Sequence, residues 1–369
     1  MDDIFFMRRA IELARNGEGF VSPNPLVGAV IVKEGKILAE GFHRKYGELH
    51  AEREALKSLC EKGLSAQDST LFVTLEPCCH EGKQPPCVQT IFQAGIKKVV
   101  VGSRDPNPLV HGKGNAFLRE QGIEVQEDFL KEECDALNPI FFHYITEKTP
   151  YVALKYAMTL DGKISTHSGK SKWITNEKSR LHVHVLRKKF SAILCGIDTV
   201  LKDDPMLDSR CENPKNPLRI VCDSSLRLPL ESRLVQTSKN IPVVAVCVKN
   251  EEKSFLQRKN SLLESGVEVL ELSPDSENRP DVKELVKILG ERGIDSLLVE
   301  GGGEVNFSFL QAGLVNRIYA FLGSKIFGGR GKSPVSGKGV ENVEDGFLFT
   351  LQNVTNFDGD VLLEYEAKK

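Results

Sequence analysis

The chain has 369 residues, of which 40% are hydrophobic and 27% charged, with a net charge of −2. At roughly 100–200 residues per domain this length suggests two domains, each able to bury its own core. The near-neutral balance, without a long run of one sign, argues against a large nucleic-acid footprint and leaves room for a small anionic ligand. The opening run MDDIFFMRRAIELARNG lacks a basic-then-apolar leader and reads as a helix stopped by Gly17. No stretch approaches the roughly 18 consecutive apolar residues of a membrane span. A chain without an export signal is expected in a reducing cytosol, where an odd count of nine cysteines points to ligands or nucleophiles rather than to disulfides.

LVGAVIVKEGKILAEGF predicts a hairpin that turns at Glu34-Gly35. A helix follows over residues 51–60, with Gly63 as its stop, then a strand over 70–75. Pro85-Pro86 introduces a helix over 87–94, and Gly95 ends it. A strand at 97–101, a helical turn at 117–121 and the short strand IEVQ complete an alternation that indicates a layered α/β sheet. The pattern resets at Thr146-Glu-Lys-Thr-Pro150, so domains are expected over 1–147 and 148–369. The second begins with a strand over 151–158 and a polar loop over 161–172. A helix over 176–188, strands over 192–195, 219–223 and 242–248, and a helix over 282–292 come next. The strand SLLVE runs into Gly301-Gly302-Gly303 and a further helix, and GDVLLEYE forms a last strand.

Three cysteines and a histidine fall in LEPCCHEGKQPPC, residues 75–87, which suits a redox device, a structural metal knot or half of a catalytic metal site. A catalytic zinc takes three protein ligands, keeps one position for water, and brings the pKa of that water to about 7. His50, at one helix start, and Cys78 and Cys87, around another, are the candidate ligands, and Glu52 has the chemistry and reach for proton transfer. A lone His-x-Glu is ordinarily a solvated helix start, and clustered cysteines alone fit a closed knot. The joint order His-x-Glu, Pro-Cys, Cys is instead the signature of zinc-dependent nucleobase deaminases. The spacing departs from that signature, since Cys78 and Cys87 are nine apart rather than Cys-x-x-Cys. Cys79 competes with Cys78, but successive residues on a turn point about 100° apart, and the Pro-Cys order favours Cys78. Cys87 lies in the first turn of its helix, where the dipole stabilises a thiolate.

PCCHEGKQPPC resembles the Pro-Cys-x-His-x-Gly-x-x-Pro-Pro-Cys loop of the bacterial bifunctional riboflavin-biosynthesis deaminase/reductases, whose cysteine spacing is the one found here. SPNPLVGAVIV, HAE and DPNP match the same family in the same order. The resemblance implies a cytidine-deaminase-like three-layer α/β/α domain that binds one Zn2+. It also implies that His80 and Lys83 hold the substrate, Lys83 by its point charge on a phosphate. Asn24, His43, Asp105 and Asn107 fall on family pocket positions, and Cys79 is a non-ligand.

In the second half, strand alternation puts Tyr151, Ala153, Lys155 and Ala157 on one face, with the lysine between two alanines. Taken alone, Lys155 is an edge-strand lysine pointing to water. Glu300 ends a strand at the carboxyl edge where open α/β sheets bind ligands, ahead of a glycine run that is ordinarily a tight turn but can also approach an anion. LKYAMTLDGKIST, SKWIT, the DDP loop with Arg210, IVCDSS and VEGGG match the reductase half of the same family. The resemblance therefore implies a dihydrofolate-reductase-like α/β domain that uses NADPH. It carries the nucleotide contacts to Ala157, Trp173, Thr199, Asp203, Ser224, Gly302, Gly303, Glu304, Val305 and Asn306. Substrate contacts fall to Ser171, Arg187, Leu207, Arg210 and Glu300, and Lys155 would polarise or protonate the sugar end. Arg227 is a candidate for the 2′-phosphate of the nucleotide.

The activity so implied has two steps. Hydrolytic deamination of 2,5-diamino-6-ribosylamino-4(3H)-pyrimidinone 5′-phosphate precedes NADPH-dependent reduction of the ribosyl group to ribityl. The expected partners are this small phosphorylated pyrimidine and further copies of the chain, without nucleic acid or membrane. One rival is a nucleoside or RNA deaminase with a nucleotide-binding module, which the weak charge disfavours. The other is a closed zinc knot in a non-enzymatic protein.

Overall fold

Asp2 caps the first helix: its carboxylate accepts from the Phe5 N–H at 3.0 Å and starts α1 (Asp3–Arg15). In the computed structural model, which describes residues 2–80, 85–107 and 110–368, the chain divides into the units Met1–Lys148 and Thr149–Lys369. After α1 come β1 (Gly28–Lys33) and β2 (Lys36–Phe42), an antiparallel hairpin. Its two turn residues, Glu34 and Gly35, both take positive φ, as a tight hairpin twist requires. α2 (Ala51–Glu61), β3 (Thr70–Leu75), α3 (Cys87–Gln93), β4 (Lys98–Ser103), α4 (Lys113–Glu120) and β5 (Glu124–Gln126) follow. Two short helices, α5 (Lys131–Asp135) and α6 (Pro139–Glu147), close the unit.

The five strands lie in the order β2-β1-β3-β4-β5, and β3, β4 and β5 are mutually parallel. Period-2 alternation buries both faces. Ile31, Leu71, Val73, Val99 and Val101 pack against Ala55 and Leu59 of α2, Val88 and Ile91 of α3 and Leu118 of α4. Val30, Val32, Phe72 and Val100 pack the other way, against Phe6, Met7, Ala10 and Ala14 of α1 and Cys134 of α5. The result is three layers, α/β/α, with α2 and α3 on one side and their N-terminal ends at one edge of the sheet.

The second unit runs β6 (Tyr151–Thr159), α7 (Glu177–Lys189), β7 (Ala192–Gly196), α8 (Ile197–Asp203), β8 (Leu218–Cys222) and α9 (Arg233–Gln236). It continues with β9 (Val243–Val248), α10 (Lys253–Glu264), β10 (Glu268–Leu272), α11 (Val282–Glu291), β11 (Ser296–Val299) and α12 (Gly303–Gln311). β12 (Val315–Gly323), β13 (Phe349–Phe357) and β14 (Asp360–Ala367) end it. The sheet order is β10-β9-β8-β7-β11-β6-β12-β14-β13, parallel from β10 to β12 and antiparallel beyond. Leu154, Leu194, Val246 and Val299 pack under Leu285 and Leu289 of α11 and Phe309 of α12.

Two expectations are corrected here. β6 lies between β11 and β12, so Lys155 is not an edge lysine in water; its side chain is 14% exposed. β10, β12 and β13 are strands that the sequence patterns do not single out. β12 is covered by partners on both sides and, past Asn316-Arg317, runs apolar from Ile318 to Leu322 without alternation, whereas β13 is exposed and polar along most of its length. Among the described residues, no helix is long and apolar enough to cross a membrane.

Candidate functional site

His50 is the N-cap residue of α2, its backbone extended, and Glu52 sits in the first turn. Cys87 is the first residue of α3, behind Pro86. Cys78 lies on the segment that leaves β3. These elements bring three donor atoms together: His50 Nδ1 is 3.5 Å from Cys78 Sγ and 3.3 Å from Cys87 Sγ. The Cys87 backbone N–H also donates to Cys78 Sγ at 3.4 Å. All three ligand atoms lie within 4.8 Å of one another, and among the described residues this is the one group of three or more such side chains placed to hold a metal. Cys79 stays outside the group, its thiol pushed up by burial. The Cys78 thiol is pushed down to about 4 by its hydrogen bond with Cys87, and by that with His50, against its own burial. The same contact and burial push Cys87 up. One nitrogen and two soft sulfurs fit zinc, which needs deprotonated ligands of this kind. Among the described residues the group has three donors, the count of an open site rather than of a closed knot.

A cavity of about 330 Å³ opens on this cluster, and His50, Cys78 and Glu52 line it. Glu52 is 4% exposed, unlike a solvated helix start; burial raises its carboxyl above the ordinary range, with His50 pulling the other way. Asn24, His43, His80, Asp105 and Asn107 line the same cavity, while Lys83 lies outside the described residues. His43 Nδ1 lies 2.9 Å from the Leu49 carbonyl, and Asn24 Nδ2 lies 3.2 Å from His43 Nε2. An amide donor at Nε2 and a carbonyl at Nδ1 specify the neutral Nδ1–H tautomer, and burial lowers the imidazole pKa to match. Asp105 Oδ1 accepts from the Asn107 N–H at 2.8 Å, and burial pushes its carboxyl up to about 6.

The sequence patterns pass over Glu76, which is 3% exposed. Its Oε1 accepts from the N–H groups of Gly114 at 3.0 Å and Asn115 at 3.3 Å. Its Oε2 accepts from those of Gly112 at 3.0 Å and Asp105 at 3.4 Å. One carboxylate thus ties the DPNP loop and the start of α4 to the residue before Pro77-Cys78. The approach is close enough that a Cβ on Gly114 would stand 2.1 Å from the Pro77 carbonyl. The signal available in the sequence is an acid at the carboxyl end of a buried strand, directly before a ligand.

The second unit holds a cavity of about 740 Å³ lined by Lys155, Ala157, Ser171, Thr199, Asp203, Ser224, Glu300, Gly302, Gly303, Glu304, Val305 and Asn306. Arg227 lines it as well, paired with Asp198 at 3.0 Å. Gly301 and Gly302 take φ of +120° and +78° and turn the chain from β11 into α12. Four expected residues do not line this cavity. Trp173 is 60% exposed beneath the Arg180 guanidinium at 4.6 Å, Leu207 is buried, and Arg210 pairs with Asp208 at 3.1 Å. Arg187 stands behind Glu300: its Nε donates to Oε1 at 2.7 Å and its Nη2 to Oε2 at 2.9 Å. Lys155 Nζ donates to Glu300 Oε2 at 3.4 Å. Burial pushes the Glu300 carboxyl up, but Arg187 and Lys155 outweigh it and hold it at about 2. Burial lowers Lys155 from its ordinary value, partly countered by Glu300. A wall missing from the sequence expectations is the segment 331–336, which reaches the cavity through Gly331, Lys332 and Ser336. Glu304 accepts from the Ser336 hydroxyl at 3.0 Å, and Asn306 Nδ2 donates to the Pro334 carbonyl at 2.8 Å.

Comparison with known proteins matches each unit separately. Residues 1–103 match the cytidine and deoxycytidylate deaminase zinc-binding region, and residues 150–363 match the RibD C-terminal domain. The chain is 51% identical over 366 residues to the riboflavin biosynthesis protein RibD of Actinobacillus pleuropneumoniae, covering 99% of this chain and 95% of that one. It is 42% identical to RibD of Aquifex aeolicus, covering 98% and 97%. The Thermotoga maritima diaminohydroxyphosphoribosylaminopyrimidine deaminase/5-amino-6-(5-phosphoribosylamino)uracil reductase superposes with a TM-score of 0.86 at 43% identity, covering 99% of this chain and 98% of that one.

Two outcomes are expected from these geometries. Elemental analysis of purified protein should find zinc lost in His50→Ala, Cys78→Ala and Cys87→Ala, and retained in Cys79→Ser. Glu300 has a folded pKa below its ordinary value, so the stability it adds is complete above 4.5 and disappears as pH falls toward 2. Denaturant titrations should therefore give a stability gap between the parent protein and Glu300→Gln that is flat near neutrality and closes over that acid window.

Proposed function

This chain belongs to the RibD family of riboflavin biosynthesis proteins, and on that premise we propose which residues carry its two activities. It is a bifunctional enzyme, a zinc-dependent deaminase and a reductase in one chain. We propose that residues 1–147 deaminate 2,5-diamino-6-ribosylamino-4(3H)-pyrimidinone 5′-phosphate, and that residues 148–369 reduce the ribosyl group of the product with NADPH. The observation that carries the first half is the convergence of His50, Cys78 and Cys87 beside a buried Glu52 on one cavity.

His50, Cys78 and Cys87 would hold the zinc, which supplies Lewis acidity and a nucleophile at neutral pH. Glu52 takes the proton of the attacking water and returns it to the departing amino group. Its burial supports that role, because a carboxyl that holds a proton more firmly can both accept and donate near neutrality. Neutral His43, with its tautomer set by Leu49, and Asn24 orient the pyrimidine.

In the second unit NADPH supplies the hydride that no side chain can. The glycine turn, Thr199, Asp203 and Ser224 would cradle the nucleotide. Lys155 holds its proton beside the sugar, with Glu300 and Arg187 fixing the ammonium in place. Lys155 would give its proton to the ring oxygen as the bond from that oxygen to C1′ breaks, so that reduction at C1′ leaves an open ribityl chain. Burial, which weakens the hold of Lys155 on its proton, supports the donor role.

We also propose a homo-oligomer in the cytoplasm. The exposed edge strand β13, with Leu351 and Val354 about half exposed, supports self-association, and the nine free cysteines suit a reducing compartment.

Glu52→Gln should keep its zinc and lose ammonia release by about 10²–10⁴-fold, followed by coupled ammonia detection; full activity would end its role as the proton carrier. Lys155→Ala should spare deamination and cripple NADPH oxidation on the deaminated product, read at 340 nm on the order of 10²-fold or more. Loss of deamination in that folded variant would contradict separate sites.

A further inference from the structure

Residues 104–149 fall between the two family matches, yet they build one wall of the first cavity. α6, PIFFHYITE, is apolar, and its residues 139–145 are half-buried with none fully buried, so their side chains stay partly open. Positions 141, 144 and 145 are three and four apart and therefore share one helix face. Phe141, Tyr144 and Ile145 all line the cavity that opens on His50 and Glu52.

Something must hold this helix to the site. Asn138, just before α6, is 4% exposed. Its Oδ1 accepts from the Leu26 N–H at 2.7 Å, and its Nδ2 donates to the Leu26 carbonyl at 2.9 Å. One side-chain amide pairs with a backbone unit in both directions, as a neighbouring strand would, across 112 residues of sequence. Leu26 follows Asn24 by two residues. The same clamp therefore fixes the helix and the loop that carries a pocket amide.

We infer that α6 is a substrate-recognition wall of the deaminase: Phe141 and Tyr144 lie against the flat ring of an amino-heterocycle, and Asn138 is the residue that positions them. The inference rests on the deaminase assignment above and adds the part of the site that selects a substrate. Metal ligands and proton carrier act on any amino-heterocycle that reaches them; an aromatic wall favours a planar ring held at one height above the zinc ligands. Ring faces meet aromatic side chains in offset-stacked or edge-on contact, a preference polar walls lack.

The test is steady-state ammonia release from the pyrimidinone ribosyl phosphate by full-length, zinc-loaded enzyme. Phe141→Ala and Tyr144→Ala are expected to raise KM about tenfold, the order of one lost aromatic contact, with kcat little changed. Tyr144→Phe keeps the ring and should recover most of the affinity that Tyr144→Ala loses. Asn138→Ala should raise KM in the same way. Zinc content and NADPH oxidation on the deaminated product report on folding. If Phe141→Ala fails to fold, the pair at Tyr144 decides. An unchanged KM in Tyr144→Ala, or a fall in kcat at constant KM, overturns the inference. A parent enzyme that releases no ammonia would instead sink the deaminase assignment itself, and the wall with it.

Discussion

His50 and Cys87 sit at the starts of two different helices, yet their donor atoms are 3.3 Å apart. That distance is possible because α2 and α3 pack on the same face of the sheet through Ala51, Ala55, Val88 and Ile91, side chains small or branched enough to bring both helix starts to one sheet edge. Everything else in the first site is arranged around this meeting point. Glu52 is carried in by the same helix start as His50. Cys78 is carried in by the strand between them. The contacts among the three groups bias their protons: contact with Cys87 favours the Cys78 thiolate, and contact with Cys78 favours protonated His50. A divalent cation replaces those protons, so metal uptake releases them and is coupled to pH.

In the second unit the corresponding constraint is strand register. β11 pairs with β6 so that Val299 stands opposite Leu154, and the next step along both strands sets Glu300 beside Lys155. A slip of one residue would send the two side chains to opposite faces. Arg187 arrives from α7, behind the cavity wall, to occupy both carboxylate oxygens, so that two cations and one anion meet in a nearly dry cluster of which Lys155 and Glu300 reach the cavity. Burying three charges is costly unless they are mutually satisfied.

Much of this was written in short-range patterns. The spacing His-x-Glu, Pro-Cys, Cys is local chemistry on helix starts and a strand end, and the structure brings those donors together. The hairpin at Glu34-Gly35 and the glycine turn after Glu300 are local in the same sense. What the patterns miss depends on distant partners. Lys155 looks like an edge residue until Glu300, 145 positions away, is placed beside it. Glu76 looks like the tail of a strand until the N–H groups of Gly112 and Gly114 fold over it. β12 lacks alternation because it is covered on both sides, and α6, which the patterns pass over, takes its place through Asn138 and its distant partner Leu26. Trp173, Arg187, Leu207 and Arg210 match family positions and do not line the cavity, since a linear match says which residue is present and not where its side chain turns.

The clamp at Asn138 has a consequence for the order in which the enzyme matures on the ribosome. The zinc ligands and Glu52 all lie before residue 88, whereas α6 spans Pro139–Glu147. A nascent chain therefore completes the His50, Cys78 and Cys87 cluster some fifty positions before the helix that lines the cavity above it. The residues that close the cavity over the cluster are thus the last of the unit to be made, and the pocket's aromatic side is complete only once Asn138 can reach back to Leu26.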